Sequence, residues 1–216
     1  KATNKPSDSL DNTGVALSLT GAFEGYDLGL YFADTYIDKS YLENDTLQFD
    51  NKSKMLGVAY NQVVDSYLFK GEIAYFDQIK YTNVADTKSR TDVLLGFEYS
   101  GITDGSLSYE FAYRVIDDYD SNIYAKNNAW KNKREYQQVV RFTQSYLNQT
   151  LDLLATLSVF GKDTQDGGSA RVSMDYAIDD QTSISGGLID YLGGDSLALD
   201  ANKENDRIFV KISRFF

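Results

Sequence analysis

The residues best suited to acid–base or nucleophilic chemistry are missing from this chain. Its 216 residues include no histidine and no cysteine, which removes the base of serine–histidine and aspartate–histidine hydrolases and any thiolate metal site. The acidic pairs Asp117-Asp118 and Asp179-Asp180 fall in a predicted loop and a predicted turn, where solvated turn residues are the simpler interpretation. The run Glu43-Asn44-Asp45 matches no calcium-loop spacing. We therefore predict no enzyme, no catalytic residue, no metal site and no cofactor.

Charged residues on the predicted strands form the more informative set. Each of them lies on the strand face opposite to the apolar residues, and six acids stand against six bases. In a closed membrane barrel this face lines the lumen, because Arg or Lys facing mid-depth lipid costs about 2–4 kcal/mol. Two interpretations stay open: a salt-bridge network that stiffens the wall, or a polar pathway with little preference for anions or cations. The predicted lumen-lining residues are Lys70, Glu72, Asp92, Glu98, Glu110, Arg114, Arg141, Asp152, Arg171, Asp175, Arg207 and Lys211.

The elements that would position these charges are two-faced β-strands. Apolar and polar residues alternate along Gly14–Phe23, Glu24-Gly25 suits a tight hairpin turn, and the next strand resumes the apolar face at Tyr26. About eleven strands follow this pattern. Their predicted bounds after the first hairpin are Lys52–Asn61, Tyr67–Tyr81, Ser89–Gly101, Leu107–Asp117, Arg134–Leu147, Leu151–Phe160, Ala170–Ile178, Thr182–Leu192 and Arg207–Phe216.

Short and long connections alternate strictly between these strands. Short turns and longer polar loops on opposite sides are typical of transmembrane barrels, whereas a soluble β-sandwich has no reason for this pattern. The long connections are Lys39–Asn51, Thr82–Lys88, Asp118–Lys133, Gly161–Ser169 and Gly193–Asp206.

Composition narrows the choice further. A formal charge of −11 argues against nucleic acid, since phosphate binding needs a concentrated excess of Lys and Arg. No apolar run reaches the roughly 18–20 residues of a membrane-spanning helix, so a closed barrel is the remaining way to satisfy backbone hydrogen bonds in lipid. Seventeen Tyr and 12 Phe suit strands and interfacial girdles.

The two ends of the chain suggest that strands are missing. The last strand ends in Phe216, preceded by alternating apolar residues, which resembles the C-terminal assembly signal of outer-membrane proteins, although Arg214 departs from that pattern. An odd count of eleven strands conflicts with the even numbers usual in bacterial barrels. We therefore expect residues 1–13 to be the remnant of an extracellular loop and residues 14–216 to be the C-terminal portion of a longer barrel. The alternative is that one strand has been split or missed in the count of eleven.

Three runs carry a resemblance to a known group of proteins. They are KGEIAYFD at Lys70–Asp77, SRTDVLLGFEYSG at Ser89–Gly101 and NDRIF at Asn205–Phe209. These runs resemble the C-terminal half of an uncharacterised, porin-like outer-membrane protein family of proteobacteria whose members are longer, over about Leu56–Phe216. The resemblance implies a barrel and a link to envelope export systems, and it carries over no functional residue.

The sequence thus predicts an all-β fold, a transmembrane antiparallel up-and-down β-barrel in the outer membrane of a Gram-negative bacterium. The expected function is a passive channel or export conduit for a hydrophilic or amphiphilic solute. The alternatives are a plugged structural or adhesive barrel and a soluble β-sandwich binding module. Expected partners are outer-membrane lipid, lipopolysaccharide, and missing N-terminal strands or a second chain that closes the barrel.

Overall fold

The computed structural model describes residues 3–123 and 132–215, and strands account for most of them. The strands are β1 (Thr3–Asn4), β2 (Val15–Phe23), β3 (Tyr26–Tyr36), β4 (Tyr41–Glu43), β5 (Thr46–Gln48), β6 (Lys52–Val64), β7 (Tyr67–Ile79), β8 (Lys88–Ile102), β9 (Gly105–Ile116), β10 (Arg134–Tyr146), β11 (Leu151–Phe160), β12 (Gly167–Ala177), β13 (Thr182–Leu192) and β14 (Arg207–Arg214). One helical turn, α1 (Leu197–Asp200), and 3-10 turns at Leu10–Asn12 and Ser121–Ile123 complete the described elements.

Eleven strands form one antiparallel meander, which confirms the predicted fold class and strand number. The hydrogen-bonded order is β14-β13-β12-β11-β10-β9-β8-β7-β6-β3-β2. A β-sandwich would need two facing sheets, and the described strands instead form this sheet and one small sheet. Within the described residues, β2 and β14 are the two ends of the order and are not paired with each other.

Tight turns set the hairpin registers. Gly25 has a φ of 82°, and Asp65 and Asp104 have φ values of 52° and 54° at the corresponding turns after β6 and β8. Asp tolerates this left-handed region better than most residues. The predicted pairing of Phe23 with Tyr26 is observed, and their rings stack with centroids 4.8 Å apart.

The segment between β3 and β6 differs from its predicted form, a polar loop. It contains the β4–β5 hairpin, and β5 also pairs in parallel with β1, giving a three-stranded sheet. Thr3–Asn4 of the expected loop remnant is therefore part of regular structure. The hairpin is tied to the segment after β7, because Leu42 N–H donates to Thr82 Oγ1 at 2.9 Å. The turn at Asn44 and Asp45, both with positive φ, is where the predicted acidic loop lies.

The chain divides into two compact units. Unit 1 comprises residues 1–62, 70–94 and 113–135, and unit 2 comprises residues 63–69, 95–112 and 136–216. Unit 1 contains the one cluster of buried apolar side chains found among the described residues, Ile79, Tyr81, Ile116 and Ile123, all at most 5% exposed. None of the described helices is long and apolar enough to cross a membrane.

Candidate functional site

Strand register in unit 2 separates the side chains of β10–β14 onto two chemically different faces. Directly opposed residues on neighbouring strands lie on the same face of a sheet, and successive residues alternate between faces. Leu157, Val172 and Leu188 lie on one face and are 41–53% exposed. Arg141, Arg171 and other polar residues lie on the opposite face. The described residues thus form a sheet with one apolar and one charged surface.

Three arginines form a row across the charged face. The register runs from Arg141 to Thr156, Arg171, Ile189 and Arg207, so an arginine occupies every second strand from β10 to β14. Two of these arginines rest on aromatic rings of the same sheet. The guanidinium of Arg171 lies 5.5 Å from the ring centroid of Phe209, and that of Arg207 lies 5.9 Å from Tyr191. Such contacts hold the long side chains against the sheet.

A second row on the same face carries two aspartates and one lysine. It lies four residues along each strand from the arginine row, about 13 Å away at the usual strand rise. Its members are opposed in the order Ser145, Asp152, Asp175, Ser185 and Lys211. Ser145 Oγ donates to Asp152 Oδ1 at 2.5 Å, and Ser185 Oγ donates to Asp175 Oδ1. The two carboxylates therefore lie side by side, and each accepts a hydrogen bond from a serine.

The apolar face of β14 is the most exposed surface of unit 2. Ile208, Val210 and Ile212 are 82%, 71% and 70% exposed, because β14 has a neighbour on only one side. In unit 1, Leu17 and Leu19 on the other end strand, β2, are 66% and 70% exposed. Side chains of this kind normally belong in a core, in a lipid environment or at a protein interface.

In unit 1 the charged face carries a salt bridge instead of open rows. Arg114 Nε and Nη2 donate to the two carboxylate oxygens of Asp92 at 2.7 and 2.8 Å, a bidentate geometry that favours a strong pair. Arg90 Nε also lies 3.1 Å from Asp92 Oδ1. The Arg90 guanidinium lies 4.3 Å from the Phe76 ring centroid. Two of the predicted lumen-lining residues, Asp92 and Arg114, are therefore paired with each other.

A lysine from the long β3–β4 connection joins this group. Burial, and then the positive charge of Arg114, lower the pKa of Lys39 to about 8, with smaller effects from Glu135 and Arg90. Burial also raises the pKa of Tyr81, which is 4% exposed and lies close to Arg90. Lys39, Tyr81 and Arg90 line one small cavity. We call these three residues with Asp92 and Arg114 the basic cluster.

The remaining predicted lumen residues lie on β7, β8 and β9, three consecutive strands of the large sheet. Lys70 and Glu72 lie on β7, and Glu98 lies on β8. Glu110 on β9 faces the β8 glycine Gly96, where a Cβ would come within 3.1 Å of Glu110 Cγ. The described part of the chain contains no group of three or more His, Cys, Asp or Glu residues placed to hold a metal ion. The predicted assembly signal, Phe216, lies outside the described residues.

Comparison with known proteins gives one distant similarity. No family model and no curated protein matches the sequence. The backbone is similar to a triple-mutant porin from Rhodopseudomonas blastica, with a TM-score of 0.49 and 14% sequence identity. The match covers 95% of this chain and 56% of that porin, so the chain spans little more than half of the porin's length. The resemblance to a proteobacterial outer-membrane family stays a prediction.

Three members of the basic cluster were missed by the sequence-based prediction. Arg90 could have been predicted, because it precedes Asp92 by two residues on a predicted strand and so lies on the same face. Tyr81 could not have been predicted, since simple alternation of side chains along the strand puts it on the apolar face with Tyr75. Gln78 has a φ of 62°, and this left-handed residue breaks the alternation before Ile79 and Tyr81. Lys39 lies outside any strand, where periodicity gives no signal.

Proposed function

We propose that this chain is the membrane-spanning sheet of an outer-membrane β-barrel that acts as a passive channel or export conduit for a hydrophilic or amphiphilic solute. The observation that carries the proposal is the division of β10–β14 into a charged and an exposed apolar face. Acyl chains of outer-membrane lipid and lipopolysaccharide would cover the apolar face. The arginine and aspartate rows would then line the pathway.

The amount of uncovered surface supports a membrane setting. The chain exposes 14162 Å², whereas a compact soluble protein of its 24.3 kDa mass is expected to expose roughly 10,000 Å². Apolar side chains such as Leu56 and Leu188, 60% and 53% exposed, contribute to this surface. In water this apolar surface would drive association, and in lipid it is matched by its surroundings.

The side on which the charges lie supports a polar pathway. An arginine facing lipid at mid-depth costs about 2–4 kcal/mol, so three arginines in one row strongly favour the orientation in which that row faces water. Arginine and aspartate rows on the same surface also oppose each other in their effect on permeating ions. We therefore expect weak selectivity that either row alone would shift.

We also propose that the β2 and β14 edges are completed by further strands, from the same polypeptide or from a second chain. Unpaired backbone N–H and C=O groups in lipid cost several kcal/mol each. The support is the strand order, in which these two strands are the ends among the described residues.

The test is single-channel recording of the purified protein in a planar bilayer under a KCl gradient. Arg141→Gln, Arg171→Gln and Arg207→Gln combined should shift the reversal potential towards cation selectivity, because the aspartate row is left unopposed. Asp152→Asn with Asp175→Asn should shift it in the opposite direction. Both shifts should shrink at high salt as screening increases. Val172→Ala, on the apolar face, is the matched control and should leave the reversal potential unchanged.

Two results would overturn parts of this proposal. Folded, inserted protein without conductance would favour the plugged structural or adhesive barrel. Conductance with the same reversal potential in all variants would mean that these rows do not line the pathway. The mass of the conducting species decides how the sheet closes: two copies indicate a second chain, and a closed monomer in which β2 cross-links to β14 would contradict edge completion.

A further inference from the structure

We propose that unit 1 contains a binding site for a small monatomic anion such as chloride, in the cavity lined by Lys39, Lys80, Tyr81 and Arg90. The site is separate from the arginine row of unit 2. It does not require an open pathway, so it goes beyond the proposed channel function and stands or falls independently of it.

The charges around the cavity favour an anion. Lys39, Lys80 and Arg90 line it, and no carboxylate does. Each lining cation has an acidic neighbour outside the lining: Glu135 acts on Lys39, Asp50 Oδ1 is 3.8 Å from Lys80 Nζ, and Asp92 Oδ1 is 3.1 Å from Arg90 Nε. Lys39 and Arg90 repel each other, and repulsion between like charges is strongest where water is scarce.

Tyr81 supplies a second, independent indication of a ligand. Its side chain is 4% exposed, and its hydroxyl proton has no acceptor within the described residues, since the neighbouring Arg90 can only donate. A buried hydroxyl without a partner costs about 1–3 kcal/mol, and such groups in native proteins usually have an acceptor, a water or an ion. A chloride in the cavity would accept a hydrogen bond from the hydroxyl and neutralise part of the surrounding positive charge.

The size of the cavity limits which ligands can bind in it. Its volume is about 20 Å³, and a volume of roughly 10–15 Å³ on this measure is needed to hold one water. The space therefore suits one water-sized particle and excludes phosphate, sulfate or a carboxylate-bearing solute. Water would satisfy the Tyr81 hydroxyl, but it would leave the repulsion among the cations in place.

Hydrogen bonds hold the walls of the cavity in position. Lys80 Nζ donates to Tyr41 Oη at 2.8 Å, and Tyr41 Oη donates to Asp50 Oδ1 at 2.7 Å. The Leu42 N–H bond to Thr82 Oγ1 fixes the β4–β5 hairpin beside the same segment. A site whose donors are already ordered loses less entropy on binding.

The test is thermal unfolding of the full protein in detergent at pH 7, followed by far-ultraviolet circular dichroism, with sodium chloride exchanged for sodium gluconate at constant ionic strength. Gluconate carries the same charge but is too large for the cavity. Chloride should raise the unfolding midpoint in a saturable way, as a ligand of the folded state does. Tyr81→Phe, which keeps the ring, should weaken chloride binding about 10- to 100-fold.

Two control variants separate the site from general salt effects. Tyr176→Phe removes a hydroxyl from an exposed ring in unit 2, and Lys203→Met removes a surface lysine paired with Asp200; both should keep the full chloride response. Lys39→Met should lose it. In crystals soaked with bromide, an anomalous peak is expected beside Tyr81.

Three outcomes would overturn the proposal. The first is an equal thermal unfolding midpoint in chloride and in gluconate. The second is a chloride response that both Tyr81→Phe and Lys39→Met retain. The third is a water, and no bromide, in the cavity of bromide-soaked crystals. If Tyr81→Phe does not fold, chloride-35 line broadening is measured for the parent protein and for Lys39→Met. Equal broadening by the two proteins would also overturn the proposal. None of these results depends on conductance.

Discussion

The charged face of the sheet is used differently in the two units. In unit 1, Arg90, Asp92 and Arg114 are 13%, 25% and 34% exposed and contact one another. In unit 2, Arg141 and Arg171 are exposed and lie in an open row. The same two-residue alternation produces both faces. The difference lies in the partners of the arginines: those of unit 1 contact a carboxylate, whereas Arg171 and Arg207 in unit 2 lie against aromatic rings.

The cores of the two units differ in the same sense. The buried apolar side chains of the described residues, including Ile79, Ile116 and Ile123, all belong to unit 1. The buried residues described in unit 2 are three glycines and Ser173. Unit 1 is therefore stabilised largely by contacts within the protein, and unit 2 depends on backbone pairing and on its surroundings.

Truncation of a core residue in unit 1 should have the largest effect. Ile116 is 1% exposed, and Ile116→Ala should lower the free energy of unfolding by about 2–5 kcal/mol because it leaves a cavity. Leu157→Ala in unit 2 should cost clearly less, since Leu157 is 41% exposed and its loss leaves no cavity within the protein. Guanidinium unfolding in one detergent measures both. Equal losses would mean that the contrast between the units is wrong.

Loss of one carboxylate should also change the free energy of unfolding by different amounts in the two units. Asp92→Asn should cost about 1–3 kcal/mol, because Arg114 loses its bidentate charge-assisted bonds and Arg90 loses an ion-pair partner. Asp175→Asn should change stability by less than about 1 kcal/mol, since it also relieves the repulsion from Asp152 directly opposite. Guanidinium unfolding in the same detergent measures both changes in stability. A larger loss for Asp175→Asn would contradict the distinction between a paired and an open charged face.

Local periodicity explains why the fold was largely predictable from sequence. The predicted bounds of Leu151–Phe160 and Thr182–Leu192 match β11 and β13, and the others shift by a few residues. A strand with one apolar face carries its own register, so sequence reports it directly. The small sheet of β1, β4 and β5 was missed because its strands are too short to show any alternation.

The basic cluster was predicted only in part, for reasons that are also physical. Asp92 and Arg114 follow from strand parity, but their bidentate pairing depends on the register between β8 and β9. Tyr81 depends on one left-handed residue, Gln78, which reverses the face of everything after it. Lys39 reaches the cluster through the path of a long connection. Local sequence periodicity does not predict which side chains such non-local geometry brings together.

A pH dependence is expected from Lys39, which lies between β3 and β4. Its pKa falls from 10.5 to about 8, chiefly through burial and then through Arg114 and Arg90, while Glu135 opposes the fall. Between about pH 8 and 10.5 the unfolded chain therefore holds a proton that the folded chain has released, and stability rises with pH. Below pH 8 both states hold the proton, and the cost of burying the charge is fully present.

Comparison of the parent protein with Lys39→Met isolates this effect from Tyr41, Lys80 and Tyr81, which titrate at higher pH in both proteins. In gluconate, the unfolding free energy of the parent relative to the variant should be constant from pH 6 to 7 and should rise from pH 8 to 9.5. Chloride in the adjacent cavity would favour the charged lysine, so the rise should begin at a higher pH in sodium chloride. A difference that stays constant, or falls, across this range would show that Lys39 is not held among the cations of the basic cluster, and unit 1 would then resemble unit 2 in leaving its charges to solvent.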